Sequence, residues 1–118
     1  MSAESQAYDT LSGAAAVTAL VSTRIYPDFV PQEKTLPSIA ITRADTEYTT
    51  TIHSDVPVVT AVQLEIWCMA ATRLAAEAVA DAALSAVAAA DFRPVGRRPE
   101  TDAAAEMFAT VLTMEFWE

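Results

Sequence analysis

Two glycines, one histidine and one cysteine in 118 residues leave little for most catalytic chemistry to work with. A phosphate cradle needs several glycines in one turn so that backbone N–H groups can approach the anion. Gly13 and Gly96, far apart in sequence, build neither the dinucleotide fingerprint nor the P-loop. One histidine and one cysteine cannot supply a zinc site, and no acidic run has the spaced Asp and Asn ligands around a central glycine that calcium loops use. His53 has Ser54 and Asp55 beside it, but a catalytic triad is assembled in space, and three consecutive residues do not give that geometry. It reads as a solvated loop histidine.

Other absences narrow the class further. Cys68 has no cysteine partner, which agrees with folding in a reducing cytoplasm. Seven Lys and Arg against sixteen Asp and Glu give a net charge of -9, so the chain as a whole repels nucleic-acid phosphates and anionic lipid. Long apolar runs are also missing: residues 74 to 90 are mostly alanine and are interrupted by Glu77, Asp81 and Ser85, too weakly apolar to cross a membrane. Residues 1 to 8 contain Glu4 and no basic residue, unlike the start of a signal peptide. What is abundant is apolar side chains, 53% of the residues against 19% charged, enough for a packed core with apolar surface left over for a partner. The length fits one domain spanning residues 1–118.

Periodicity gives the elements. Residues 4–21 place Tyr8, Leu11 and Ala15, and Ala14, Val17 and Val21, at helical spacing, and Ser12-Gly13 divides them into two short helices, with Ser12 available to cap the second. Pro27 and Pro31 impose an extended path around Ile25, Tyr26 and Phe29. Strands are expected over residues 38–47 and 58–69, joined by a polar loop or hairpin tip at 48–57, so that residues 24–69 form strands and one long hairpin. In the second strand Val62, Leu64, Ile66 and Cys68 share one face; Gln63, Glu65, Trp67 and Met69 share the other. Thr72 opens a helix over residues 72–90, with Arg73, Glu77 and Asp81 along a solvated ridge and Ala76, Val79, Ala80, Ala83 and Val87 on the opposite side. Residues 91–117 are the C-terminal strands: a short one at 91–95, a turn at 96–101 with Gly96 and Pro99, and a last strand at 104–117 with Phe108, Leu112, Met114 and Phe116 on one face. The expected fold class is α+β, a single domain with a mainly antiparallel sheet and helices packed on one face.

Both long strands then have an apolar even-numbered face and an odd-numbered face mixing Glu65 and Glu115 with Trp67 and Trp117. Trp is enriched at the buried centres of interfaces, which makes this mixed face a candidate subunit contact; alternatively, the rings cap the chain's own sheet. The two glutamates, neighbours across strands, lack the positioned base and lined pocket of a catalytic carboxylate pair, so a solvated or interface pair is the better reading. Cys68 falls on the apolar face and is assigned to packing. Arg93, Arg97 and Arg98 are too few for a nucleic-acid groove. They suit ion pairs with an acidic neighbour, another copy of the chain included, or a solvated hairpin.

Several strings in order carry a family likeness: R-I-Y-P at 24–27, P-Q at 31–32, L-P-S-I-A-I-T at 36–42, V-Q-L-E-I-W at 62–67, A-E-A-V-A-D-A at 76–82 and M-E-F-W at 114–117. From Leu11 to Trp117 the chain resembles the tail completion, or tail terminator, family of siphophages and prophages. The resemblance implies a virion protein of the tail-neck region, assembled in the host cytoplasm, with no enzymatic activity and no catalytic, cofactor-binding or metal-binding residue. It implies a homo-oligomer, a hexameric ring at the head-proximal end of the tail tube. That ring stops tube polymerisation and joins tail to head, with the tail tube protein and a head-tail connector or neck protein as partners. DNA would pass through it without specific binding, and no membrane is involved. Trp67, Trp117, Glu65, Glu115, Arg97 and Arg98 are the expected interface residues, with Tyr48 at the base of a projecting loop, 48–55, that reaches a neighbouring ring or subunit. Another virion subunit, such as a connector or tube protein, is the alternative; a small α+β ligand-binding domain or enzyme fits less well.

Overall fold

The glycine at position 13 ends the first helix. In the computed structural model, which describes residues 3–27, 36–49, 58–90, 92–102 and 107–116, α1 spans Ala3–Ser12 and α2 spans Ala15–Val21. The Gly13 N–H donates to the Asp9 carbonyl at 3.0 Å, and a Cβ on Gly13 would stand 3.1 Å from that same oxygen, so a side chain there would crowd the exit from α1. Ser12 does not cap α2 as expected. Its hydroxyl donates back to the Asp9 carbonyl at 3.4 Å, and the N-cap position of α2 is Ala14, which offers no side-chain cap. A cap must directly precede the first helical residue, and Ser12 is still part of α1. The two helices bury Ala7, Leu11, Val17 and Val21, at i, i+4 spacing within each helix.

Five strands follow: β1 (Ile25–Pro27), β2 (Ser38–Thr49), β3 (Val58–Ala70), β4 (Arg93–Asp102) and β5 (Met107–Phe116), with α3 (Arg73–Ala88) between β3 and β4. They form one sheet in the order β1-β2-β3-β5-β4, with β1 parallel to β2 and every other pair antiparallel. The short extended stretch before Pro27 is thus a strand in its own right, held by the Ile39 N–H donating to the Arg24 carbonyl and by Arg24 Nε donating to the Pro37 carbonyl, both at 2.9 Å.

The expected turn at 96–101 is overturned: β4 runs straight through it. Pro94 and Pro99 are tolerated because β4 is an edge strand, with an unpaired side on which a missing N–H costs nothing. Gly96 sits at a register shift, where Val95 is the extra residue and stands 51% exposed. The strand therefore starts near the expected short one at 91–95 and continues to Asp102.

Even-numbered positions of β3 and β5 meet the helices. Val62, Leu64, Ile66 and Cys68 pack with Leu112, Met114 and Phe116 under Val79, Ala80, Ala83 and Val87 of α3, and Phe92 stacks on Phe116 with ring centres 4.8 Å apart. Thr72 caps α3, its hydroxyl accepting from the Ala75 N–H at 3.1 Å. Cys68 lies inside this core, where burial pushes its thiol up to about 12 and keeps it unreactive.

Candidate functional site

Cross-strand register aligns the odd-numbered residues of β3 and β5 with even-numbered residues of β2 and β4, in rows across the face of the sheet that, among the described residues, no helix covers. The central row is Ala40, Trp67, Val111 and Arg98; beside it run Ser38, Met69, Ala109 and Glu100, and on the other side Thr42, Glu65, Thr113 and Gly96. The floor of this face is apolar and small. Ala40, Met69 and Ala109 form a second cluster with Leu36, Trp67 and Met107 packed against it. Val111, between Trp67 and Arg98 in the central row, is 0% exposed. Arg98 extends across β5, its guanidinium 5.6 Å from the centre of the Trp67 ring and within 2.9 Å of Glu65 and 3.0 Å of Glu100. Hydrogen bonding, first to Glu65 and then to Glu100, raises the guanidinium's pKa above its ordinary value. A half-buried indole under an arginine tied at both sides is a fixed platform, rigid in two torsions and amphipathic.

Glu65 and Glu115 do not form a pair. Glu65 is opposite Thr113 and Glu115 is opposite Gln63, and each takes its own arginine, Arg98 for Glu65 and Arg93 at 3.5 Å for Glu115. The acidic neighbours of all three C-terminal arginines thus lie in the same chain.

Arg97 points the other way, to the helix side, and there the expected solvated ridge of α3 proves to be a seam. Glu77 and Asp81 both hold Arg97, Asp81 at 2.9 Å. Glu77 also accepts from the Thr110 hydroxyl at 3.0 Å. Arg73 donates to the carbonyls of Ala109 at 2.8 Å and Glu100 at 3.1 Å, and its guanidinium lies 5.3 Å from the centre of the Phe108 ring. The i, i+4 spacing was visible in sequence. That it faces β4 and β5 follows from the sheet extending beyond the helix, which no local pattern records. These pairs are partly exposed, so they orient α3 on the sheet more than they stabilise it.

The Arg97 and Thr110 hydrogen bonds hold the Glu77 carboxyl below the usual carboxylate range. A carboxyl depressed in the folded state stabilises the fold above its unfolded pKa, and that contribution disappears as pH falls through the folded value. Glu77→Gln is therefore expected to unfold at a lower temperature than the parent at pH 7, with the gap closing as the pH is taken below about 4. Calorimetry of the two proteins between pH 7 and pH 3 measures it; a gap that stays constant with pH would show that Glu77 does not act as an anion.

Of the expected interface residues, Trp67, Glu65, Glu115 and Arg98 share the uncovered face, and Arg97 lies on the opposite one. Tyr48 belongs to β2, opposite Val59. Trp117 and residues 50–57, with His53, lie outside the described residues. Sequence reasoning missed the floor of Ala40, Ala109 and Val111. For Ala109 and Val111 the signal was present: small apolar residues at odd positions of a strand whose odd face otherwise mixes charge with tryptophan. Among the described residues no group of His, Cys, Asp and Glu could hold a metal ion, and no helix is long and apolar enough to cross a membrane.

A family model described as Tail completion protein gp17 matches residues 6–117. Among solved structures, a chain of the virion of a native gene transfer agent particle is similar with a TM-score of 0.73 and 18% sequence identity. The match covers 98% of this chain and 92% of that one, and is a likeness of fold. No curated protein shows significant sequence similarity.

Proposed function

Because the chain belongs to the tail completion protein gp17 family, and is therefore a structural protein of the phage virion tail, we propose that it acts as a tail terminator, closing into a ring at the head-proximal end of the tail tube. The ring ends tube polymerisation and offers the surface on which the head-tail connector or neck protein docks, with the tail tube protein on its other side. The observation that carries the reading is the family match over nearly the whole chain, residues 6–117.

Physical features of the chain support it. A ring needs head-to-tail contacts between two different surfaces that close on themselves. The uncovered sheet face supplies one, with Trp67 on an apolar floor at its centre and Glu65, Arg98 and Glu115 around it, the arrangement of anchor and rim that interfaces use. Arg97, on the helix side, belongs to the second surface. Tyr48 and Trp117 complete the contact in this proposal, and the segment 48–55 reaches a neighbouring ring or subunit. A net charge of -9 suits a channel through which DNA slides without being held. Such a protein acts by association and has no catalytic step.

Electron microscopy of the purified protein, alone and with tail tubes, tests the reading. Six-fold rings, free or capping one end of each tube, are expected. Open-ended cylinders of this chain would make it a tube subunit instead, and failure to ring or cap under either condition would end the proposal.

A further inference from the structure

Arg98 reaches further than an ion pair requires. A carboxylate stands 3.0 Å away on its own strand, that of Glu100. Yet the guanidinium lies over Trp67 and beside Glu65, both on β3. Two strand spacings, about 10 Å, separate β3 from β4 in the sheet order. To span them the side chain crosses β5 at Val111, the residue between Arg98 and Trp67 in the central row, and Val111 is 0% exposed. The apolar stem thus covers the valine and the charged head covers the indole.

The ties that hold this cover are weak. The Arg98 side chain is 43% exposed and those of Glu65 and Glu100 are 22% and 45% exposed, so solvent screens both pairs. A cation over an indole at such an exposed site adds a comparably small attraction. The backbone beneath is better anchored: the neighbouring Arg97 is held from the other side of the sheet by Glu77 and Asp81 of α3. The Arg98 side chain can therefore move while β4 stays in place.

We propose that Arg98 is a latch, lying over Trp67 and Val111 in the free subunit and swinging aside when a second copy docks on this face. The latch presupposes the ring contact proposed for the uncovered sheet face and sets how readily that contact forms. Opening breaks the contact with Glu65 and the stacking on Trp67, while Glu100, on the same strand, keeps the guanidinium paired. The Glu65 carboxylate then accepts a donor from the docking copy. A subunit that is closed most of the time binds its neighbour with an affinity reduced to the open fraction, and ties of this size leave roughly one subunit in ten open.

Sedimentation velocity of the full chain against concentration, at about 50 mM and about 500 mM salt, compares the parent with Arg98→Gln and Arg98→Lys. Arg98→Gln is expected to melt within a few degrees of the parent and, in low salt, to associate at about tenfold lower concentration. Raising the salt should bring the parent most of the way to the variant and leave the variant nearly unchanged, because screening loosens the Glu65 pair that the variant lacks. Arg98→Lys keeps the charge, loses the planar fork and is expected to fall between them. Parental rings with either variant associating at the same or a higher concentration than the parent would overturn the latch and leave the ring reading in place. No association by any of the three at either salt would overturn both.

Discussion

Ala83→Leu is expected to lower the free energy of unfolding by about 3 kcal/mol. Ala76, Ala80 and Ala83 are 0% exposed along the inner side of α3, over a sheet face of Leu64, Ile66, Leu112 and Met114. Side chains that small let the helix axis approach the sheet, and interiors packed to crystal density have no space for three added carbons. A leucine at 83 must adopt a strained rotamer or lift α3, and lifting it would also pull Glu77 and Asp81 away from Arg97. Ala78→Leu, on the exposed side of the same helix, adds the same volume to solvent and is expected to change stability by less than about 0.5 kcal/mol. Urea denaturation of the two variants decides it; equal midpoints would mean that the helix sits further from the sheet than its alanines allow.

If the proposed ring forms, Trp67→Ala is expected to abolish it at concentrations where the parent assembles. The isolated subunit should lose only about 2 kcal/mol, because the ring is half-buried and covers one side of Val111 and the small cluster beside it. Each contact in a ring would lose a central anchor, typically 2 kcal/mol or more, which is roughly thirtyfold in every pairwise equilibrium and accumulates around the ring. Arg98→Gln separates the two effects: it leaves the indole in place and releases the guanidinium that covers it. Sedimentation velocity against concentration, with thermal melts of the same samples, reads both. A folded Trp67→Ala protein that forms rings at the parental concentration would remove the uncovered sheet face from the assembly contact.

Local pattern reached the parts of this molecule that burial alone decides. Two-residue alternation on β3 and β5 placed Leu64, Ile66, Cys68, Leu112, Met114 and Phe116 against the helices, and three- and four-residue spacing placed Val79, Ala80, Ala83 and Val87 opposite them. Helix boundaries at Gly13 and Thr72 were legible because a missing side chain and a capping hydroxyl act on their immediate neighbours. Local rules failed where the meaning of a residue depends on its position in the sheet. Gly96 and Pro99 read as a turn, yet an edge strand accommodates both. The Arg73, Glu77 and Asp81 ridge read as solvated, because the strand that receives it comes later in the chain.

The sequence by itself determined which side chains go inward, the acidic balance, the scarcity of catalytic groups and the family. Burial of apolar surface is non-directional and leaves its record in the spacing of residues along the chain. Only the tertiary structure decided which charges meet: Glu65 with Arg98 and not with Glu115, Arg97 with α3, and an arginine over Trp67. An ion pair or a strand edge depends on register between segments distant in sequence, where a slip of one residue would reassign every partner.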